Sequence, residues 1–156
     1  MATELVVGDE APAFELPTDG GGSTSLASLR GRKLVLFCYP KDDTEACTAE
    51  AVAFNALRTA FAAADAALLG VSADSVKRHD KFKKKYDLQL PLASDETTRM
   101  LETYGVWVEK KMYGRTFMGV ARTTFLIDRD GRIARIWPKV KVEGHAVEVL
   151  EAAKAL

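Results

Sequence analysis

Two apolar runs with a helical pattern between them limit the folds open to this chain more than any other feature. Residues 34–39 and residues 66–72 are almost continuously apolar, which is typical of strands buried on both faces of a sheet. Between these runs, Phe54, Leu57 and Phe61 recur at spacings of three and four residues, which predicts a helix over residues 45–63. A buried strand, a helix and a second buried strand predict neighbouring parallel strands in an α/β fold.

The rest of the chain predicts further elements around this core. These are an N-terminal β-hairpin within residues 6–26, a helix over 74–86, a short extended piece at 90–93, a helix over 97–104, strands at 119–128 and 132–137 joined by an Asp-Gly turn, and a last helix over 144–156 with Val147, Leu150 and Ala153 facing inward. Because no linker or repeat interrupts the pattern, we expect residues 1–156 to form a single domain. We predict a thioredoxin-like α/β sandwich, with a central mixed sheet, helices on both faces and an N-terminal β-hairpin.

Cys47 has a sequence context that favours a reactive thiol. The first apolar run ends at Pro40, and Thr44 lies three residues before Cys47, which places the cysteine in the first turn of the following helix. Unpaired backbone N–H groups and the positive end of the helix dipole favour thiolate over thiol there. We therefore predict that Cys47 is a nucleophile. Cys38, inside the strand, is better interpreted as an inert core residue.

These residues also carry a resemblance. The pattern P-x-x-x-T-x-x-C from Pro40 to Cys47 resembles the active-site signature of the peroxiredoxins, and residues 39–44 with Cys47 and Thr48 are similar to the bacterioferritin-comigratory, or Q-type, branch. Residues 119–128 resemble the second signature of that family, and the likeness extends from Gly8 to His145. It implies a thiol-dependent peroxidase that reduces hydrogen peroxide and organic hydroperoxides through a sulfenate of Cys47, with no cofactor. Pro40, Thr44 and Arg122 would surround that cysteine.

Each of these three residues has a chemical reason to be there. Thr44, one turn before Cys47, can place its hydroxyl beside the sulfur, and Pro40 shapes the loop while withholding a competing N–H group. Arg122 comes just before the apolar run 123–127, where a guanidinium needs a partner. An arginine can contact thiolate and peroxide oxygen together and cannot lose its charge.

The resemblance also implies where a second cysteine would lie. Q-type members that carry a resolving cysteine have it at the positions of Val52 or Lys83 here, and neither is a cysteine. Cys38 could meet Cys47 only if the active-site helix partly unwound, given the geometry of a disulfide, and this possibility stays open. We therefore expect an external thiol, such as thioredoxin, glutaredoxin or glutathione, to reduce the Cys47 sulfenate.

Composition and the spacing of histidines limit the partners and ligands that we expect for this chain. The 22 basic and 22 acidic residues balance, and the one basic cluster, Lys81 with residues 83–85, is typical of a solvated helix face, so we expect no nucleic acid partner. No run approaches the roughly 20 apolar residues of a membrane span, and the first residues do not resemble a secretory signal. His79 and His145 are far apart in the sequence and lack cysteine or paired carboxylates at metal-ligand spacing, so no metal site is expected. We expect a cytoplasmic protein, monomeric or weakly dimeric.

Two other functions remain open. A non-enzymatic redox sensor would use oxidation of Cys47 to change the helix and, through it, a protein contact. A general thiol–disulfide oxidoreductase is disfavoured, because thioredoxins carry Cys-x-x-Cys at the start of this helix and the present chain does not.

Overall fold

A computed structural model describes residues 4–156 of the chain, in which helices and strands follow one another over most of the length. In chain order these elements are β1 (Glu15–Pro17), β2 (Ser23–Ser25), α1 (Leu26–Leu29), β3 (Lys33–Cys38), α2 (Glu45–Ala56), α3 (Arg58–Ala63), β4 (Ala66–Ser72), α4 (Val76–Tyr86), β5 (Leu92–Ser94), α5 (Arg99–Thr103), β6 (Trp107–Met112), β7 (Arg115–Val120), β8 (Thr123–Ile127), β9 (Ile133–Trp137) and α6 (His145–Ala155).

Five strands form the central sheet, in the order β5-β4-β3-β8-β9. β3 is parallel to β4 and β4 is parallel to β5, whereas β8 is antiparallel to both β3 and β9. The predicted mixed sheet is therefore confirmed, and the apolar run of β3 lies at its centre. β1 and β2 pair as the N-terminal hairpin that the sequence predicts.

Every residue of β3 is buried, because helices cover both faces of the sheet. Leu34, Leu36 and Cys38 contribute to the core on the face that α1 and α5 cover. Val35 and Phe37, which alternate with them, contribute to the core under α2, α3, α4 and α6. The alternation explains why this strand has no polar face.

A ring stack fastens α2 to the sheet. Phe37 of β3 and Phe54 of α2 have ring centroids 4.6 Å apart, with nearly parallel planes. Gly70 of β4 lies opposite Phe37 in the register, and a Cβ atom on it would lie 2.7 Å from the Phe37 ring. Gly70 therefore leaves the space that this ring occupies under α2.

Two predicted elements are each divided in the structure. The helix predicted over residues 45–63 breaks at Leu57, which has a φ of −99° and a ψ of 6° and separates α2 from α3. Phe54 and Phe61 nevertheless both point into the same core. The strand predicted over residues 119–128 is wrong as one element, because the chain leaves the pairing of β7 with β6 and enters the central sheet at β8.

β6 and β7 form a hairpin outside the central sheet that the sequence analysis did not predict. Its turn residues, Tyr113 and Gly114, both have positive φ values. Met112, Phe117 and Met118 in its outer part are exposed. Neither face of this outer part packs on the core, so the alternation of a half-buried strand is missing from its sequence.

The orientation of α6 corrects one more prediction. Val147, expected to face inward, is 55% exposed, whereas Val149, Leu150 and Ala153 are buried. Ala146 is buried as well, so the buried stripe runs through Ala146, Val149, Leu150 and Ala153, at the spacing of a helix face. None of the helices in residues 4–156 has the length and apolar character needed to cross a membrane.

Candidate active site

Cys47 lies in the first turn of α2. Thr44 is the N-cap residue with extended backbone, and the N–H of Thr48 is bonded to the Thr44 carbonyl at 2.9 Å. The helical residues before Thr48, Cys47 among them, have no carbonyl one turn earlier to which their N–H groups could bond. Cys47 is only 2% exposed. Cys47 is therefore a buried residue at the positive end of a helix.

The guanidinium of Arg122 joins this sulfur to a buried carboxyl group. Nη2 donates to Cys47 Sγ at 3.2 Å, and Nη1 donates to Glu50 Oε1 at 2.7 Å. The backbone of Arg122 is held between β7 and β8, and its carbonyl accepts a hydrogen bond from the N–H of Val140 at 3.0 Å. The structure thus brings the cation singled out from the sequence to hydrogen-bond distance of the sulfur.

Glu50 belongs to this site although the sequence analysis did not single it out. It is 2% exposed, and its Oε2 atom has no hydrogen-bond partner within residues 4–156. Burial raises the pKa of Glu50 to about 7, and the opposing effect of Arg122 does not cancel the shift. A usable signal was present: Glu50 follows Cys47 by three residues, so the two side chains share a helix face.

Thr44 and Pro40 shape the loop that leads into α2. The Thr44 hydroxyl donates to the carbonyl of Lys41 at 2.8 Å and does not cap the helix. With its proton directed at Lys41, the Thr44 oxygen keeps lone pairs with which it can accept a hydrogen bond. Pro40 is half-buried directly after Tyr39 and contributes no N–H group.

A buried network connects this loop, residues 40–44, to α4. The Asp42 carboxylate accepts a hydrogen bond from the Tyr39 hydroxyl at 2.6 Å, and it lies 2.6 Å from His79 Nδ1. The second ring nitrogen of His79 donates to the carbonyl of Ala93 at 2.9 Å. Burial lowers the pKa of His79, but the hydrogen bond and charge of Asp42 outweigh burial and raise it. Asp42 and His79 therefore form a buried pair that becomes an ion pair when the imidazole is protonated.

No paired carboxylates lie near His79 in the sequence, but folding brings Asp42, which is 37 positions away, into contact with it. Oxygen atoms of Asp42 and Asp74 lie within 4.8 Å of a His79 nitrogen, a grouping that a cation could also use. Protein donors already occupy it, however. Asp74 Oδ2 accepts hydrogen bonds from the Asp42 N–H and the Ser72 hydroxyl. The cluster therefore serves as a hydrogen-bond network that fixes the loop.

A second, exposed set of contacts joins the same loop and helix. Asp43 accepts hydrogen bonds from Lys85 Nζ at 2.8 Å and from the Tyr86 hydroxyl at 2.6 Å. Lys83, also on α4, pairs with Asp19 at 2.7 Å. The basic cluster interpreted as a solvated face is therefore partly engaged in ion pairs. Both sets of contacts hold α4 against the loop that carries Thr44.

The two cysteines lie on opposite sides of the central sheet. Both are free thiols. Cys38 of β3 belongs to the core under α1 and α5, whereas Cys47 belongs to the core under α2 and α6. Burial raises the pKa of the Cys38 thiol far above its ordinary value, and nearby Glu50 and Asp95 act in the same direction. Cys38 is therefore held as a neutral thiol with β3 between it and Cys47.

The fold and this site together define a thiol-dependent peroxidase, in which a cysteine at the start of a helix faces an arginine and no second cysteine lies in that helix. The model of the AhpC/TSA family matches residues 7–136. The chain belongs to this family and, within it, to the bacterioferritin-comigratory, or Q-type, peroxiredoxins.

Individual relatives support the assignment. Peroxiredoxin Bcp of Bacillus subtilis is 43% identical over 150 residues, which cover 96% of each chain. PrxQ from Xylella fastidiosa has a TM-score of 0.93 at 38% identity, covering 99% of this chain and 98% of that one. The bacterioferritin comigratory protein of Xanthomonas campestris, solved in work on its alkyl peroxide reduction activity, has a TM-score of 0.87 at 44% identity, covering 91% and 90%.

Proposed function

We propose that Cys47 is the peroxidatic cysteine of this chain, that it reduces hydrogen peroxide and organic hydroperoxides, and that an external thiol regenerates it. The observation that carries the proposal is the 3.2 Å contact of Arg122 Nη2 with Cys47 Sγ at the start of α2. This contact places a permanent cation where the attacking thiolate and the departing oxygen both carry negative charge.

The first step oxidises the sulfur. The Cys47 thiolate attacks the terminal oxygen of the hydroperoxide, so that a sulfur–oxygen bond forms and the oxygen–oxygen bond breaks. The alkoxide or hydroxide takes up a proton and leaves as alcohol or water, and Cys47 becomes a sulfenic acid. Arg122 and the N–H groups at the start of α2 stabilise the developing charge, and the Thr44 oxygen accepts the hydrogen bond that orients the peroxide.

The second stage returns the sulfur to its reduced form in two thiol exchanges. An external thiolate attacks the sulfur of the sulfenic acid, the hydroxyl leaves as water after protonation, and a mixed disulfide forms. A second thiol then releases Cys47 and carries away the disulfide. The usual resolving positions contribute no thiol, because they are occupied by Val52, which is exposed on α2, and by Lys83, which is paired with Asp19. Thioredoxin, glutaredoxin and glutathione are the candidate reductants.

The test compares the two cysteines directly. We expect Cys47→Ser to abolish hydroperoxide reduction with every thiol offered, and Cys38→Ser to retain most of it, because only Cys47 contacts a cation. Peroxide consumption is measured with each candidate thiol, and circular dichroism establishes that both variants are folded. Equal loss of activity in two folded variants would reject the assignment. Oxidation of Cys47 that no thiol reverses would instead favour the redox sensor.

A further inference from the structure

Lys110 of the β6–β7 hairpin has a side chain that lies along Gly119, near the base of the hairpin. In the register, Lys110 lies opposite Phe117, and Gly119 is the next residue on the same face of the hairpin. A Cβ atom on Gly119 would lie 3.4 Å from Lys110 Cδ and 3.5 Å from Cε. The methylenes of Lys110 therefore run across Gly119 toward the base of the hairpin, where Arg122 follows β7.

Within residues 4–156 the ammonium group of Lys110 has no side-chain partner: its Nζ atom forms no ion pair and no hydrogen bond with a side chain, although Lys110 is half-buried. Burial lowers the pKa of Lys110 and the charge of Arg122 lowers it further, while the charge of Cys47 raises it. Lys110 thus lies within electrostatic reach of both residues at the reacting sulfur.

Lys110 and Arg122 differ in their contacts. Arg122 pairs with Glu50 Oε1 and contacts Cys47 Sγ, whereas the Lys110 ammonium group has no side-chain partner within residues 4–156. In the oxidative step the incoming hydroperoxide is neutral. In the reductive step the incoming thiol reacts as an anion. Lys110 can therefore attract the anionic thiol that reacts in the second step.

We propose that Lys110 is a positioning residue for the reductive step, which attracts the incoming thiolate to Cys47 and makes the site favour thiol reductants that carry an anionic group near the sulfur. The inference rests on the proposed function, since it assumes that Cys47 is oxidised by peroxide and reduced by an external thiol. The chemical class that it assigns to the reductant is an acidic thiol, either a small carboxylate-bearing thiol or a protein thiol in an acidic surface.

The test uses three small thiols that differ in charge: 3-mercaptopropionate, 2-mercaptoethanol and cysteamine. Cys47 is first oxidised with one equivalent of hydrogen peroxide, and the rate of mixed-disulfide formation is then followed by mass spectrometry. Lys110→Gln removes the charge, Lys110→Arg keeps it, and Lys111→Gln is the matched control, because Lys111 lies on the opposite face of the hairpin. Taking the ratio of variant to parent for each thiol cancels the different acidities of the three thiols.

We expect Lys110→Gln to slow the reaction of 3-mercaptopropionate by about threefold to tenfold, that of 2-mercaptoethanol by less, and that of cysteamine not at all. Lys110→Arg should react like the parent, and added salt should shrink the difference. Equal ratios for the three thiols, or the same charge-dependent pattern in Lys111→Gln, would overturn the role of Lys110.

The first step of the experiment keeps the two proposals apart. If peroxide oxidises Cys47 of the parent and the three ratios are equal, only the role of Lys110 is lost. If peroxide leaves Cys47 of the parent unoxidised, the proposed function fails, and the role of Lys110 fails with it.

Discussion

Arg122 uses both ends of its guanidinium, and this geometry separates it from any other cation. One nitrogen contacts Cys47 Sγ and the other contacts Glu50 Oε1, at 3.2 and 2.7 Å. A lysine could supply the charge but could not bridge both partners, because its ammonium group is a single point. One rigid planar group therefore binds both the sulfur and the carboxyl group on this face of α2.

We expect Arg122→Lys to slow the oxidation of Cys47 by hydrogen peroxide by about a hundredfold or more, the scale for losing one preorganised donor. The second-order rate constant of oxidation is measured by stopped-flow mixing. Arg115→Lys is the control, since Arg115 is an exposed residue at the tip of the hairpin. A parental rate in folded Arg122→Lys would reassign the guanidinium to a structural role.

Glu50 makes the stability of the folded protein depend on pH. Its pKa is raised from 4.5 to about 7 in the folded protein. Between these two pH values the unfolded chain loses the Glu50 proton and the folded chain keeps it, so stability is present at low pH and is lost as pH rises through 7. The full loss is about 3 kcal/mol, from roughly 1.4 kcal/mol for each pH unit.

Glu50→Gln should remove this dependence while keeping the shape of the side chain. The free energy of unfolding, measured by denaturant titration between pH 5 and 8, should fall with pH more steeply in the parent than in Glu50→Gln. Parallel curves for the two proteins would mean that Arg122 keeps Glu50 ionised across the range.

At the scale of elements, the loop of residues 40–44 depends on α4 for its conformation. Asp42 reaches α4 through the buried pair with His79, and Asp43 reaches it through the exposed pair with Lys85. A buried ion pair that loses one member leaves an uncompensated charge, whereas an exposed pair is screened by solvent. We therefore expect Asp42 to contribute more to the stability of the folded protein than Asp43.

Asp42→Asn should destabilise the protein by about 3 kcal/mol, the lower end of the range for breaking a buried pair. Asp43→Asn is the matched control and should have a small effect. Denaturant titration gives both values, and hydrogen exchange of the N–H groups in α2 should become faster only in Asp42→Asn, because the loop leads directly into that helix. Equal and small effects would show that the His79 network does not hold the loop.

At the scale of the whole molecule, the sheet keeps the two thiols apart. Cys38 lies in the core on one face of β3 and Cys47 in the core on the other face. A disulfide between them would require β3 or α2 to leave its place, because the Cα atoms of a disulfide lie within about 7 Å and the Cβ atoms must approach. The fold therefore favours a cycle with one cysteine of the chain.

One equivalent of hydrogen peroxide should convert Cys47 to a sulfenic acid that dimedone traps, and excess peroxide without thiol should carry it on to sulfinic acid. Intact mass and peptide mapping after the reaction identify each product. Rapid and quantitative formation of a Cys38–Cys47 bridge would overturn the single-cysteine cycle. A Cys47–Cys47 link between two chains would replace it with a cycle that requires a dimer.

The sequence alone determined the central strands, the helix after Pro40 and the position of Cys47 in its first turn. These features depend on local patterns, namely continuous apolar runs, an N-cap threonine and spacings of three and four residues. The same reasoning marked Arg122, because a guanidinium beside an apolar strand needs a partner. Resemblance to a known family added Pro40 and showed that the two positions of a resolving cysteine carry no cysteine in this chain.

Only the tertiary structure decided which distant residues meet. Glu50 and Arg122 are 72 residues apart and Asp42 and His79 are 37 apart, so no local pattern could have predicted either pair. The β6–β7 hairpin was missed because its outer part packs on nothing and shows no alternation. The direction in which Lys110 points follows from the register of that hairpin and from the missing side chain of Gly119, and pairing between strands is a property of the folded chain.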